Sequence, residues 1–393
     1  MDLAARDGEL VRVLVVNAGS SSVKLRLLDA TDRLEQRADL PSGEHGFDVE
    51  QLSAILGSWP APDAVGHRVA HGGERFTGPA VVDDAVTNAL SELTDLAPLH
   101  QPPSLAALDA VSALLPRTPA VACFDTTFHA TLPPAAATYA IPREWRERYH
   151  VRRYGFHGLS HAYCAHRVPE LLGHPVRRIV SCHLGAGASL AAVLDGSSVD
   201  TTMGFTPLEG LVMATRSGSV DPGLVLWLTE HEHLPPHEIA AALEHRSGLA
   251  GLAGTGDLQA VEAAAAQGDH DAALAIEVYL HRLVSAVAAM TAATGGLDAL
   301  VFTGGVGENS QLVRRRAAAK LGYLGVTVDP ARNAAAGLSP EADTVLSPRG
   351  ATVTTLVVHA REDLEIAAEV RSLLHGEGAS SAGERTEGPT RGR

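Results

Sequence analysis

The chain has 393 residues, of which 45% are hydrophobic and 20% are charged, as is usual for a globular protein. One hydrophobic core rarely serves more than about 300 residues, so this length predicts two domains. The formal net charge of −15 disfavours nucleic acid or an anionic membrane as a partner. A small anionic substrate remains compatible with this charge where arginines cluster locally.

Cysteine usage and the first residues point to a reducing compartment. Cys123, Cys164 and Cys182 are widely spaced and form no CxxC pair, as expected of free thiols. The first ten residues are polar and lack the apolar run of a signal peptide. Because we find no stretch of about 18 apolar residues, we expect no membrane span and a cytoplasmic protein.

The N-terminal third predicts a strand, a tight turn and a second strand, followed by mixed elements. Residues 11–16 are apolar and β-branched, residues 17–22 are small, and residues 23–28 alternate between apolar and basic. Periodicity predicts the next strands and helices at these positions: strands 64–69 and 120–124, and helices 48–56, 84–96 and 104–115.

A second strand–turn–strand pattern occurs in the middle of the chain, where residues 179–182 precede a glycine-rich turn and the strand 190–195. A constant offset between the two patterns produces these matches: Gly19 with Gly185, Leu28 with Leu194, and Asp29 with Asp195. The repeat suggests two related domains that face a shared cleft. Chance similarity between two glycine-rich hairpins is the alternative.

The C-terminal half is mostly helical. Residues 257–294 are alanine-rich, and a buried type of strand at 299–303 leads into a glycine-rich turn and a basic helix. A last strand is predicted at 352–358 and a last helix at 363–374. The remainder is rich in Gly, Ser and Glu without periodicity, which predicts a disordered tail over residues 377–393.

Two glycine-containing turns are candidate phosphate or nucleotide sites. In residues 17–22, small side chains let backbone N–H groups approach a phosphate, and Lys24 adds a charge, although no Walker A motif is present. In residues 304–309, close glycines between a strand and a helix suit a nucleotide. An ordinary hairpin turn and a tight structural turn are the respective alternatives.

Two arginines and one aspartate are candidate anion-binding or catalytic residues. Arg68 and Arg216 lie in apolar or glycine-rich surroundings, where a guanidinium often binds carboxylate or phosphate, unless it pairs with a local acid. Asp125 follows an apolar strand that directs it toward a cleft. It could orient an arginine, hold a metal, act as a base or cap a helix.

Three histidines and a cysteine lie close together in the sequence: His157, His161, Cys164 and His166. His157 and His161 are four residues apart and share one helix face, but a zinc site lacks a further ligand at a suitable spacing. We favour one histidine as a donor to substrate and structural roles for the others. His100 and His183 leave the same choice open.

Nine segments in order resemble the acetate kinase (acetokinase) family of short-chain acyl kinases: VLVVNAGSSSVKL, GHRVAHGGERF, APLH, CFDTTFHATLP, YGFHGLSH, SCHLGAGASL, DTTMGFTPLEGLVMATRSGSVDPG, VFTGGVGENS and REDLEIA. The resemblance implies an α/β fold with duplicated ribonuclease-H-like domains of the acetate/sugar kinase–Hsp70–actin superfamily, and a homodimer. The expected domains are residues 1–127 with 363–376, and residues 128–362.

The resemblance also implies roles for individual residues. Asn17 and Glu362 would hold Mg²⁺, or Mn²⁺ in its place. The residues expected beside the transferred phosphoryl group are Ser20, Ser22 and Lys24. The expected catalytic residues are Arg68, Asp125, His157 and Arg216, with His100 close by. The residues expected around ATP are His183, Leu184, Gly185, Ala186, Gly187, Asp257, Leu258, Gln259, Gly305, Val306, Gly307, Glu308 and Asn309.

The sequence departs from the family pattern at several of these positions. Ala186 replaces an asparagine, and Leu258 and Gln259 replace phenylalanine and arginine, which leaves the nucleotide or another phosphoryl donor open. Gln101 also replaces an asparagine. Arg361 stands where the family often has asparagine, so the metal ligand could shift from Glu362 to Asp363.

The implied function is reversible, Mg²⁺-dependent transfer of the γ-phosphoryl group of ATP to acetate, which gives acetyl phosphate and ADP. The implied acyl pocket consists of these residues: Ala70, Leu99, Phe156 and Pro207. Ala70 replaces a valine and leaves room for about one more methylene, so we expect propionate to be accepted as well. A propionate or butyrate kinase and a non-catalytic nucleotide-binding relative are the alternatives.

Overall fold

The computed structural model describes residues 12–19, 22–43, 46–96, 101–336 and 342–375. Of the predicted site residues, Ser20, Leu99 and His100 lie outside the described residues, as does the predicted tail 377–393.

The described residues form strands and helices that alternate along most of the chain. The strands are β1 (Val13–Ala18), β2 (Ser22–Leu28), β3 (Leu34–Gly43), β4 (Gly46–Phe47), β5 (Ala64–Val69), β6 (Ala80–Val81), β7 (Ala120–Phe124), β8 (Arg178–Leu184), β9 (Ala188–Leu194), β10 (Ser197–Thr201), β11 (Ala299–Thr303), β12 (Thr344–Val345) and β13 (Thr354–Val357). The α-helices are α1 (Val49–Ser58), α2 (Asp84–Glu92), α3 (Gln101–Leu114), α4 (Pro134–Ala137), α5 (Arg143–Tyr149), α6 (Gly158–Leu172), α7 (Pro222–Glu230), α8 (Pro236–His245), α9 (Gly248–Ala253), α10 (Leu258–Ala266), α11 (His270–Ala293), α12 (Gly304–Asn309), α13 (Gln311–Lys320), α14 (Pro330–Ala336) and α15 (Glu362–Leu374). Short 3₁₀ turns cover Leu93–Leu96, Thr127–Thr131 and Gly322–Leu324.

The two sheets share one topology. The first has the order β4-β3-β2-β1-β5-β7-β6, and the second has the order β10-β9-β8-β11-β13-β12. In both, a three-stranded antiparallel meander leads into two parallel strands and an antiparallel edge strand. Order and direction agree for six strands of each sheet, and β4 is an additional edge strand of the first sheet. The structure therefore confirms the duplicated ribonuclease-H-like fold expected from the resemblance.

The constant offset between the two hairpins is wrong after the turn. Four residues, 19–22, separate the paired ends of β1 and β2, whereas three residues, 185–187, separate those of β8 and β9. The shorter turn moves the returning strand by one residue. The predicted matches that fail for this reason are Leu28 with Leu194 and Asp29 with Asp195.

Helix α15 packs on the first sheet, although it follows the second sheet in the chain. Ile366 and Val370 share a buried cluster with β1 and β5. Gly66 on β5 makes this approach possible, because a Cβ there would lie 2.4 Å from a methyl carbon of Ile366. Helix α6 joins both halves: Leu159 belongs to this cluster, whereas Val168 packs with the second sheet.

One helix in the described part of the chain, His270–Ala293, has the length and composition of a membrane span, with a mean hydropathy of 1.5. This helix packs in the core of the second domain. Its buried residues include Ile276, Leu280 and Val287, which lie in the cluster that covers β8, β9 and β11. We therefore interpret α11 as a core helix, because a long apolar core helix has the same length and composition as a membrane span.

Candidate active site

Arg68 on β5 is held by a bidentate hydrogen bond to Asp125, directly after β7. The Arg68 Nε and Nη2 atoms donate to the two carboxylate oxygens of Asp125 at 3.0 and 2.5 Å. The strands are adjacent and parallel, so their carboxyl ends bring these side chains to one edge of the sheet. Asp125 is buried, which makes a paired guanidinium the favourable neighbour for its carboxylate.

Asn17 and Glu362 complete this cluster. Asn17, in β1, accepts a hydrogen bond from Arg68 Nη1 at 3.2 Å and donates to Glu362 Oε2 at 2.9 Å. Glu362 begins α15 and lies 3.8 Å from the Arg68 Nε atom. Lys24 is the cross-strand partner of Asn17. One arginine therefore contacts two carboxylates, with a lysine near the second.

The charges in the cluster shift its pKa values in opposite directions. Burial alone would lower the pKa of Arg68, but Asp125 and Glu362 raise it above its ordinary value. Burial alone would raise the pKa of Glu362, but Arg68 and His183 lower it below its ordinary value. Burial raises the pKa of Asp125, and Arg68 opposes that shift. Arg68 is therefore a permanent cation and Glu362 an anion.

His157 stands at the N-terminus of α6 in a left-handed conformation, with φ of 56°. The next residue, Gly158, donates its N–H to the Asp125 carbonyl at 2.8 Å. A Cβ on Gly158 would lie 2.2 Å from that carbonyl oxygen, so only glycine fits. This tight approach brings His157 to the Arg68–Asp125 pair, at a backbone cost of about 1–3 kcal/mol.

The β8–β9 turn lies against His157 and Arg216. A Cβ added to Gly187 would lie 3.3 Å from His157 Nε2 and 3.4 Å from Arg216 Nη1. Arg216 Nη1 also donates to the Pro207 carbonyl at 3.3 Å. Burial lowers the pKa of Arg216 from its ordinary value. Gly187 thus lets the turn backbone approach an imidazole nitrogen and a guanidinium more closely than a side chain would allow.

A set of histidines and serines packs around His157. His157 stacks on His183 with ring centroids 4.3 Å apart, and Ser160 bonds His183 Nδ1 at 2.8 Å. Burial, with neighbouring His183, His161 and the two site arginines, lowers the pKa of His157 well below its ordinary value. Burial likewise lowers the pKa values of His161 and His183. These rings are therefore neutral near pH 7.

A cavity of about 370 Å³ adjoins the same turn, between β8, α10, α11 and α12. The predicted nucleotide residues that line it are Gly185, Ala186, Asp257, Leu258, Gln259, Gly305, Val306 and Asn309. Asp257 caps α10 by accepting from the Gln259 N–H at 3.0 Å. The 257–259 segment, helix α12 and the β8–β9 turn thus line one cavity.

Other predicted nucleotide residues have different surroundings. Glu308 does not line the cavity, because its carboxylate accepts hydrogen bonds at 2.9 Å from the Gly304 and Ala360 N–H groups and lies 2.8 Å from His359 Nδ1. This carboxylate braces the glycine-rich turn and does not face a nucleotide. The residues that also lie outside the lining are Ser22, Lys24, His183, Leu184, Gly187 and Gly307.

Sequence reasoning missed several residues of the cavity. These residues are Ala214, Leu249, Gly256, Glu262, Tyr279 and Ser310. Tyr279 lies in the middle of α11, and its buried hydroxyl has no hydrogen-bond partner within the described residues. It stands in an alanine-rich helical pattern that gives no sign of a site. Its proximity to the glycine turns arises only from the packing of α11 against the second sheet.

Metal-binding groups are sparse in the described ranges, which contain no group of three or more His, Cys, Asp or Glu side chains placed for a metal ion. His161 contacts Ser181 and Ser189, His166 contacts Glu365, and Cys164 is buried. Three of the four residues considered for zinc in the sequence, namely His161, Cys164 and His166, therefore have serine, glutamate or core side chains as their neighbours. A hard cation at Asn17 and Glu362 would need phosphate and water oxygens, which is the usual coordination of Mg²⁺.

Of the residues predicted for the acyl pocket, Ala70 and Phe156 share His71 as a neighbour. Ala70 is buried directly after β5, and the adjoining His71 ring meets the Phe156 ring at a centroid distance of 5.5 Å. Pro207 is hydrogen-bonded to Arg216 through its carbonyl. Pro207 thus lies beside Arg216, whereas Ala70 and Phe156 lie beside His71.

Comparison with known proteins defines the class. The model of the acetokinase family matches residues 49–368. An acetate kinase of Clavibacter michiganensis is 45% identical over 90% of this chain and 97% of its own length. The chain belongs to the acetokinase family, and it is therefore a phosphotransferase that acts on a carboxyl group.

Solved structures agree with this assignment. The acetate kinase of Porphyromonas gingivalis superposes with a TM-score of 0.83 at 35% identity, covering 92% of this chain and 99% of that one. A propionate kinase of Francisella tularensis superposes with a TM-score of 0.82 at 34% identity, covering 91% and 98%. The match extends over both domains.

We predict that Asp125→Asn destabilises the protein by about 3–5 kcal/mol, because it leaves the half-buried Arg68 without the carboxylate of the buried Asp125. Urea unfolding followed by circular dichroism measures the change. The control is Asp298→Asn, which removes a similar bidentate bond to Arg178 at the surface, where exposed pairs contribute about 0–1 kcal/mol. Equal losses in both variants would contradict a special role for burial at Asp125.

Proposed function

We propose that the protein is an acetate kinase that transfers the γ-phosphoryl group of ATP to acetate and also accepts propionate. The carrying observation is the approach of His157 and Arg216 to Gly187, with Arg68 close enough to His157 to lower its pKa, next to a cavity large enough for a nucleotide. A carboxylate oxygen forms a bond to the γ-phosphorus, the bond from that phosphorus to the β,γ-bridging oxygen breaks, and ADP leaves. The reverse reaction follows the same path.

Acetate is already ionised at neutral pH, so this reaction needs no base to activate the nucleophile. The barrier comes from bringing two anions together and from charge on the phosphoryl oxygens. Arg68, fixed by Asp125, and Arg216 supply positive charge from opposite sides of the cleft. His157 donates an N–H to the same oxygens without adding charge.

Asn17 and Glu362 are the proposed magnesium ligands, because an amide and a carboxylate lie side by side at the cleft, where the Asn17 amide nitrogen donates to Glu362 Oε2 and the amide oxygen accepts from Arg68. A magnesium ion held there would supply positive charge to neutralise the ATP phosphates. Lys24, the cross-strand partner of Asn17, adds positive charge on the same side.

The nucleotide base and ribose occupy the cavity lined by the 257–259 segment and α12. The small side chain of Ala186 and the amide of Gln259 replace the family's asparagine and arginine, so this chain relies more on backbone groups and on the apolar walls Val306 and Leu258. The protein is proposed to act in the cytoplasm, where the reducing environment keeps cysteines free, as Cys123, Cys164 and Cys182 are.

The first test is an assay with ATP, Mg²⁺, hydroxylamine and acetate, propionate or butyrate, which reads acyl hydroxamate. We expect turnover of acetate and propionate. Arg216→Ala should lower kcat/KM by about 10²–10³-fold, because an electrostatic partner of the transition state is lost. The control Arg177→Ala removes an exposed arginine that pairs with Asp195 and should leave turnover unchanged.

No hydroxamate with any acid in folded wild-type protein would refute ATP-dependent acyl kinase activity. Pyrophosphate would then be assayed as the donor. A non-catalytic relative is disfavoured because Arg68, Asp125, His157 and Arg216 remain together in one cleft.

Ala70 favours a second substrate of the same class. We predict that Ala70→Val lowers kcat/KM for propionate relative to acetate by about 10-fold or more, since one methylene in a pocket is worth about 1–3 kcal/mol. Both acids are compared on the same preparation, so a general loss of activity cancels from the ratio. An unchanged ratio would remove Ala70 from the acyl pocket, and dominant use of butyrate would favour the larger-acid alternative.

The protein is proposed to act as a homodimer. Helix α7 contains no buried residue although it is apolar, and Leu226 and Trp227 are 60% and 46% exposed. Exposed apolar groups in one helix commonly mark a protein interface. A second copy of the chain covers this helix in our proposal.

We predict that the double variant Leu226→Glu/Trp227→Glu shifts the mass from dimer to monomer, because buried charge opposes association. Light scattering after size exclusion measures the mass. The matched control carries two glutamates on exposed residues of another helix, Trp145→Glu/Tyr149→Glu. Monomeric wild-type protein, or a dimer unaffected by the α7 variant, would contradict the assignment.

A further inference from the structure

Four side chains form a continuous hydrogen-bonded chain that ends at His157. Ser181 Oγ lies 3.0 Å from His161 Nδ1, His161 Nε2 lies 2.8 Å from Ser189 Oγ, and Ser189 Oγ lies 2.9 Å from His157 Nδ1. Ser181, His161 and Ser189 are fully buried. Ser181 and Ser189 come from the paired strands β8 and β9, and the two histidines come from the start of α6.

Because Ser189 has a single hydroxyl proton between two ring nitrogens, the chain can run in only one direction at a time. In the first direction, Ser181 donates to His161 Nδ1, His161 Nε2–H donates to Ser189, and Ser189 donates to His157 Nδ1. In the second direction, each of these donors and acceptors is exchanged. The two directions leave His157 in opposite tautomers.

Partners at the inner end favour the first direction. Within the described part of the chain, the Ser181 hydroxyl has one nitrogen or oxygen partner, His161, and the sulfur of Cys164 lies beside it. The first direction gives the Ser181 proton to a nitrogen, whereas the second would give it to a weakly accepting sulfur. A buried hydroxyl without a good acceptor is costly, so the first direction is the more stable one.

We propose that Ser189, supported by His161 and Ser181, is a positioning residue that fixes His157 as the Nε2–H tautomer. The Nε2 atom is the ring nitrogen that faces Gly187 and Arg216. A neutral imidazole carries one N–H, so the opposite tautomer would present a lone pair to the anionic oxygens and repel them. No proton moves along the chain during the reaction.

This inference rests on the proposed role of His157 in phosphoryl transfer, but its direct test does not. We expect ¹⁵N NMR of histidine-labelled wild-type protein, with His157 assigned from the spectrum of His157→Gln, to show the Nε2–H tautomer. In Ser189→Ala this preference should be lost. The kcat value should fall by about 10-fold or more while KM changes less than about twofold, since the donor is misoriented and not removed.

The matched control is Ser198→Ala. It removes a buried serine–histidine bond of the same kind, from Ser198 Oγ to His129 Nδ1 at 2.8 Å. The His129 ring bonds the Phe156 carbonyl and meets the His161 ring edge-on, but it shares no hydrogen bond with the four side chains. We expect this variant to lose stability without a change in kcat or in the His157 tautomer. Ser189→Thr keeps the hydroxyl and should restore the tautomer and most of kcat.

The proposal is overturned if wild-type His157 is the Nδ1–H tautomer, whether or not Ser189→Ala folds. It is also overturned if Ser189→Ala keeps both the tautomer and kcat. Absence of acyl kinase activity in the wild type, with His157 still found as the Nε2–H tautomer, would refute the proposed function and leave the positioning intact.

Discussion

The contact of Arg68 with Asp125 and Glu362 is the interaction on which the rest of the cleft depends. It joins a strand, the end of the next strand and the first residue of the last helix, which are distant in the sequence. A buried charge without partners costs several kcal/mol, so none of these elements can move away independently. The carbonyl of Asp125 then holds Gly158, and this bond sets the position of His157. One charge cluster therefore positions groups from both domains.

The two sheets contribute different polar groups to the cleft. Beside the first sheet, Arg68 and Asp125 compensate each other's charge, whereas beside the second sheet the histidine–serine pairs remain neutral. Neutral donors suit the second domain because Arg68 and Arg216 lie close to His157 and would repel a further cation. The cleft can thus attract an anion through its arginines and still offer it an uncharged N–H, although the whole chain carries a charge of −15.

The sequence predicted those parts of the fold that depend on local patterns. The strands with β-branched apolar runs, such as β5, β7 and β11, have the predicted bounds. Strand β3 was not predicted because it is mostly exposed and polar, and its stability comes from pairing with β2. The candidate arginines and the glycine turns could be found from their unusual surroundings. Ser189 and Tyr279 could not, because their partners come from distant elements that only tertiary packing brings together.

Duplication explains why the two halves of the cleft are similar in shape and different in chemistry. Asn17 and His183 occupy corresponding strands at the same distance before their turns, yet one contacts Arg68 and the other stacks on His157. The difference of one residue between the turns adds to this divergence. A three-residue turn with glycine at its end lets the backbone of Gly187 reach His157 and Arg216, where even a methyl group would be in close contact. A difference of one residue in turn length, acting on one repeated topology, thus gives the two halves of the cleft different contacts.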